Sequence, residues 1–284
     1  MKSKESNKEK MLNINFKQKD YYEFDIKDDF QYGTGNKITK IWSIIRNYQY
    51  KMTDDLKINS SLIDLQKKWI GDLSNKKVLD FGCHTGNELS EYLALNSKEY
   101  CALDLSSSAL STLETKFKRN NISNYKMFPI DILSEEFKEN NFDIIYAKGV
   151  FHHFKYLEVL LKRMKEILKP GGIIITSDPL NTYIPLKIIR AIYRPFQKDR
   201  DWEFPFTKDS FRLIQKYFNI ENLAGIMGST KYLFPIYLLS SKYALKLSEK
   251  LIKKDFFDVR INTHSLWKCL RVSMLLRNSK HTDI

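Results

Sequence analysis

Ile41, Trp42, Ile44, Ile45 and Tyr48 recur three and four residues apart, as do Leu62, Ile63, Leu65, Trp69 and Ile70. That period predicts helices over 36–52 and 58–73, joined by a polar stretch. From residue 77 the pattern changes to short apolar runs separated by longer amphipathic ones. Residues 77–81, 100–105, 125–131, 142–147 and 172–178 read as five strands. Between them 87–93, 108–118 and 156–168 read as helices, the last stopped by Lys169-Pro170-Gly171-Gly172. The fifth run, Ile173-Ile174-Ile175-Thr176, is continuous, as a strand buried on both faces is. Strand and helix in alternation specify a doubly wound α/β sheet with right-handed crossovers.

Around this centre the rhythm is looser. Residues 1–20 are polar and lysine-rich and read as a disordered tail, with a helical lid over 21–73 and a sheet domain over 74–284. Pro179, Pro185 and Pro195 punctuate a cap insertion at 179–215. Residues 218–223 are a candidate sixth strand and 267–276 a last one, separated by a helical insertion at 229–265.

Composition adds bounds. Hydrophobic residues at 43% are enough for a core, so wholesale disorder is excluded. Three cysteines (Cys83, Cys101, Cys269) without a C-x-x-C pair argue against a disulfide scaffold or a zinc ribbon. With no apolar leader at residues 1–8 and no membrane-length apolar run, the expectation is a cytoplasmic protein. The net charge of +13 suits nucleic acid, anionic lipid or phosphorylated substrates, but dispersed lysine is also an ordinary solvated surface. Lys242, Lys246, Lys250 and Lys253 fall on one helical stripe opposite Tyr237, Ala244, Leu247 and Leu251. Two readings stand for it: a basic helix lying peripherally on an anionic membrane, or a cap helix with its apolar side on the domain.

The chemistry gathers at Asp80-Phe81-Gly82-Cys83-His84-Thr85-Gly86, a strand running into a glycine turn before a helix. Such a turn brings backbone close to a ligand and offers it free N–H groups. Gly86 is followed by Asn87-Glu88, so no phosphate loop of G-K-[ST] type is present, and the third glycine of a dinucleotide fingerprint is missing. Asp104 closes the second strand 24 residues after Asp80, where a carboxylate can accept both hydroxyls of a ribose. Asp131 closes the third, where it can accept from an adenine amino group.

With these residues in place the chain resembles the class I S-adenosylmethionine-dependent methyltransferases, over about residues 75–180. Their first motif corresponds to 78–86, their ribose acid to Asp104 with Leu105-Ser106 behind it, and their adenine-side acid to Asp131-Ile132. Phe142 to His153 and Leu168 to Gly172 match as well, the former carrying Ala147-Lys148-Gly149 at the strand end. The resemblance implies a Rossmann-like seven-stranded sheet with its last strand antiparallel. It also implies S-adenosyl-L-methionine bound by the turn Gly82 to Gly86, by Asp80, Asp104 and Asp131, and by 147–149. One position departs: the family usually has glycine at the middle of the turn, where His84 stands. Downstream, 177–181 and 202–205 look like members from polysaccharide and secondary-metabolite pathways. Where those commonly show Glu-His-Pro, this chain has Glu203-Phe204-Pro205, so a base from that histidine is missing.

Methyl transfer is an in-line displacement that needs alignment and desolvation, and a hydroxyl acceptor also needs a base. His152 and His153 follow the fourth strand at the ligand end of the sheet, and adjacent residues cannot both face the site. His152 is favoured, against a histidine simply packed under the sheet edge. Tyr32, Arg46 and Trp202 are candidate acceptor contacts, each with a packing or surface role as its alternative. No ligand spacing supports a metal, and the absence of Asn/Asp-Pro-Pro-Tyr after strand four argues against methylation of planar nitrogens. The expectation is therefore transfer to a small molecule, at oxygen rather than nitrogen, on a glycosyl, lipid-linked or natural-product acceptor. RNA methylation and a non-catalytic relative are the alternatives.

Overall fold

Val78 to Phe81 are buried and lie side by side with Tyr100 to Leu103 in parallel register, Asp80 opposite Ala102 and Phe81 opposite Leu103. The computed structural model, which describes residues 6–24, 37–197, 199–261 and 263–279, builds the sheet outward from this pair. Its strands are β1 (Lys77–Phe81), β2 (Glu99–Leu103), β3 (Tyr125–Phe128), β4 (Phe142–Lys148), β5 (Leu168–Pro179), β6 (Asn219–Ile226) and β7 (Arg271–Arg277). They stand in the order β3-β2-β1-β4-β5-β7-β6, and β7 runs antiparallel to both neighbours. The doubly wound seven-stranded sheet with an antiparallel last strand is the fold expected from the alternation and the resemblance.

Successive side chains point to opposite faces, so each central strand feeds two cores. Leu79, Phe81, Leu103, Ile145 and Ile174 belong to one, with helix α6 (Leu157–Ile167) and helix α8 (Lys208–Tyr217) supplying Leu160, Met164, Phe211 and Ile214. Val78, Tyr100, Ala102, Ile144 and Ile175 belong to the other, under α4 (Glu88–Asn96) and α5 (Ser107–Arg119). Asn87 caps α4 by accepting from the backbone N–H groups of Leu89 and Ser90, and Ser106 caps α5 through Ala109. Both caps hold a helix N-terminus at the edge where the strands end.

Three elements differ from the sequence expectation. Residues 7–24 are not a disordered tail: they form helix α1 (Asn7–Phe24), anchored by fully buried Met11 and by Asn15 and Gln18. The lid over 21–73 is divided. Helix α2 (Lys37–Asp55) stands at the rim, whereas α3 (Ile58–Ile70) lies against the sheet, where Gln66 Nε2 donates to Ser273 Oγ of β7 at 2.9 Å. The lysine stripe belongs to α10 (Ser241–Phe257), whose apolar side (Ala244, Ile252, Phe256) is buried with Met52, Leu56 and Leu62. That side is covered by the domain and is not a face open to lipid. The remaining helices are α7 (Ile184–Tyr193), in the cap after β5, and α9 (Phe234–Leu239). No described helix is long and apolar enough to cross a membrane.

Candidate functional site

The aligned ends of β1, β2 and β4 set one edge, and a cavity of about 330 Å³ opens on it. The glycine turn forms its floor. Gly82 has φ +65°, and a Cβ there would stand 2.5 Å from Val150 Cγ2, so the left-handed backbone and the close approach both demand glycine. His84 also has φ +48°, which explains why glycine is the family's usual residue at the middle of the turn. Its backbone N–H donates to Asp104 Oδ2 at 2.8 Å, and Ser106 N–H donates to Oδ1 at 2.9 Å. Asp104 is thus fixed at the cavity wall by two backbone donors. Burial raises its pKa, and those two bonds oppose the rise.

Asp80 lies one layer beneath. Tyr100 donates its hydroxyl to Asp80 Oδ2 at 2.6 Å, and burial pushes the carboxyl up to about 6. Asp80 does not line the cavity; it braces the strand end from below. Cys83 is buried, and burial holds its thiol well above the usual range, which makes it a packing residue.

The roof is α1. Asn15, Gln18 and Tyr22 face the cavity, and Asn15 Nδ2 donates to Asp131 Oδ2 at 2.9 Å while Leu133 N–H holds Oδ1 at 2.8 Å. Because the amide nitrogen faces the carboxylate, the amide oxygen is assigned, and that buried atom has no hydrogen-bond partner among the described residues. A buried acceptor at the wall of a cavity, beside an aspartate, fits a ligand that presents an amino group. Farther along, Glu23 accepts from the Ser107 N–H and hydroxyl at 2.9 and 2.8 Å and ties α1 to the start of α5.

The two histidines divide the work differently from the expectation. His152 is not on the cavity wall. Its Nδ1 lies 2.8 Å from Asp178 Oδ1 and its Nε2 3.3 Å from Glu203 Oε2, and Thr176 donates its hydroxyl to Asp178. Burial disfavours a charged ring, yet the two carboxylates outweigh it and push His152 up to about 9. His152 is therefore a protonated strut, with no lone pair to offer as a base. His153 lines the cavity instead. Its Nδ1 is 3.0 Å from the Trp202 carbonyl, to which it donates, leaving Nε2 with the free lone pair. Burial, followed by the charge on His152, lowers its pKa to about 4 and keeps it neutral. His152, His153 and Glu203 could group round a metal ion, but the proton on His152 and the Nδ1–H of His153 already account for that geometry.

The other expected residues are placed as follows. Leu105, Ile132, Lys148 and Gly149 line the cavity with Gly82, His84, Asp104 and Asp131, whereas Thr85, Gly86, Ser106 and Ala147 do not. Trp202 is buried beside His153 and Tyr21, its indole N–H without a hydrogen-bond partner among the described residues. Arg46 reaches in from α2 and acts electrostatically on Glu203 and Asp199. Tyr32 lies outside the described residues. Sequence reasoning missed Asn15, Gln18 and Tyr22, although Met11, Asn15, Gln18 and Tyr22 fall four, three and four apart on one helical face. Two amides in that stripe hide it from a hydrophobic pattern.

Comparison with known proteins bears on the domain and its fold. Residues 79–174 match the family described as methyltransferase domain. A tRNA U34 carboxymethyltransferase of Nautilia profundicola is 30% identical over 179 residues, covering 58% of this chain and 57% of that one. A ubiquinone biosynthesis O-methyltransferase of Acinetobacter baumannii is 27% identical over 114 residues, 38% of this chain and 47% of that one. The chain spans about half the length of these curated relatives. Among solved structures, a putative methyltransferase from Bacillus halodurans superposes with a TM-score of 0.54 at 13% identity, over 78% of this chain and 100% of that one. The N-methyltransferase NodS from Bradyrhizobium japonicum, in complex with S-adenosyl-L-homocysteine, superposes with a TM-score of 0.50 at 14% identity, over 97% and 100%. Both structural likenesses are likenesses of fold.

Proposed function

We propose that this chain, which carries a class I S-adenosylmethionine-dependent methyltransferase domain, moves a methyl group onto a hydroxyl of a small-molecule acceptor. The observation that supports it is the cavity itself, with Asp104 and Asp131 on its walls and the free Nε2 of His153 beside them. When bound, S-adenosylmethionine supplies an activated methyl group on a sulfonium. Asp104 would accept the ribose hydroxyls, and Asp131 with the unpaired Asn15 oxygen would accept the adenine amino group. Helix α1 and the glycine turn would exclude water on both sides. His153 would orient the acceptor hydroxyl through Nε2 and take up its proton, the methyl–sulfur bond of the donor being the one broken and S-adenosylhomocysteine the leaving group. The Val150 carbonyl accepts from the His153 backbone N–H, the Trp202 carbonyl accepts from its ring Nδ1–H, and the His152 ring packs against it at 4.1 Å, so the His153 ring is held in place.

A glycosyl, lipid-linked or natural-product acceptor suits the caps beyond His153. A second reading, methylation of RNA, draws on the tRNA-modifying relative and on the +13 charge. The test is incubation with methyl-labelled donor and two separated cell fractions, small molecules and RNA. Label in the small-molecule fraction, lost in His153→Gln, is expected. Label confined to RNA would replace the acceptor assignment.

A further inference from the structure

We infer that the rim formed by α2 and α7 is a docking surface for an anionic lipid bilayer. Both helices are amphipathic, and each leaves an apolar stripe in solvent, on α2 over the turns before the buried Met52. On α7, Ile184, Ile188, Ile189 and Ile192 form one stripe, and their exposures are 69, 57, 42 and 60%. The polar side points inward: Arg190 donates to the Leu180 carbonyl at 2.6 Å, and Tyr193 is the helix's buried residue. On α2, Ile41, Ile44, Ile45 and Tyr48 repeat the pattern with exposures of 59, 55, 42 and 49%. Arg46 lies on the opposite side of that helix and acts on Tyr193, Asp199 and Glu203, which sets α2 beside the end of α7. An ordinary surface helix buries its apolar stripe and solvates its cations. Here two neighbouring helices from distant parts of the chain leave apolar stripes in solvent while Arg190 and Arg46 turn inward.

The charge selects the occupant. With Arg190 and Arg46 turned inward, the solvated charges of residues 184–197 and 37–50 include Lys187, Arg194 and Lys40, and neither stretch carries an acid. An apolar stripe flanked by cations alone matches the acyl–headgroup boundary of a bilayer rich in anionic lipid. It does not match nucleic acid, which would leave the isoleucines in water. The surface stands beside Glu203, which contacts His152, so a bilayer there faces the acceptor side of the cavity. The inference goes beyond the proposed reaction and is tested without it.

The probe is co-sedimentation with vesicles of phosphatidylglycerol and phosphatidylcholine, against phosphatidylcholine alone, with folding checked by thermal unfolding. The chain is expected to pellet with the anionic vesicles and to be released by salt. Ile188→Glu/Ile192→Glu, both at exposed positions, should weaken pelleting roughly ten-fold or more with the melting temperature kept. Lys242→Glu/Lys250→Glu, on the stripe of α10, should lower it far less. Absence of pelleting at low salt, or equal pelleting of the isoleucine variant, would overturn the inference. So would sedimentation showing a dimer that the isoleucine variant abolishes, which would assign the face to a second copy of this chain.

Discussion

Glu203→Gln tests which histidine is charged. In the native chain His152 stands between Asp178 Oδ1 at 2.8 Å and Glu203 Oε2 at 3.3 Å, with 7% of its surface exposed. Its pKa of about 9, against an ordinary 6.5, represents about 3 kcal/mol of preference for the charged ring, at about 1.4 kcal/mol per unit. The substitution removes one of two carboxylates and leaves Asp178, so about half of that preference, roughly 1–2 kcal/mol, should go. The sign with pH follows from both partners. The raised pKa of His152 gives stability that is complete below about 6.5 and is lost as pH rises through about 9. The Glu203 pKa, which its hydrogen bond to charged His152 holds at about 2 against the opposing effect of burial, gives stability present above about 4.5 and lost as pH falls through about 2. The native chain should therefore exceed the variant most between about pH 4.5 and 6.5, with the margin closing towards pH 10. Urea unfolding across that range measures the margin, and NMR titration of the histidine Cε1–H signals measures the pKa directly. A His152 that titrates at or below 6.5, or a margin that stays constant to pH 10, would refute the strut.

Other perturbations separate the remaining roles. His153→Gln should lower turnover while leaving S-adenosylhomocysteine affinity within about two-fold, since it removes the free Nε2 and little else. Because burial lowers His153 to about 4, the native rate should not fall between pH 8 and 6; a fall centred near 6.5 would contradict it. His84→Gly relieves a left-handed φ of +48° and should stabilise the fold by about 1 kcal/mol, a gain of a few degrees in melting temperature. A drop in melting temperature would show that the imidazole contributes more than its backbone costs. Asn15→Ala removes the tether from α1 to Asp131 and should speed hydrogen exchange throughout 7–24 and weaken cofactor binding several-fold. Unchanged exchange would place the hold on α1 elsewhere.

The sheet could be read from the chain because its signals are local. Ile173 to Ile175, and Val78 to Phe81 apart from Asp80, are short apolar runs of the kind buried strands show. Asp104 directly follows β2 as expected, whereas Asp131 lies three residues beyond the end of β3 rather than closing it. The roof could not be read in the same way, because α1 seals the cavity with amides, and a hydrophobic pattern has no weight for them. Nor could the histidines be told apart. Their protonation depends on Asp178 and on Glu203, which arrive from β5 and from the cap after it, and proximity across such loops leaves no periodicity. The isoleucines of α2 and α7 show a third limit: a helical period reports that two faces differ, but not which one turns inward. The same limit applies to α10, whose apolar face turns inward as usual.

Titration calorimetry with S-adenosylhomocysteine tests the central claim, that the cavity between α1 and the strand ends holds the methyl donor. One site per chain is expected, and Asp104→Asn should weaken it by roughly 1–3 kcal/mol, because a charged acceptor is lost beside the His84 and Ser106 donors. No heat at millimolar ligand, or equal affinity in the variant, would contradict the assignment.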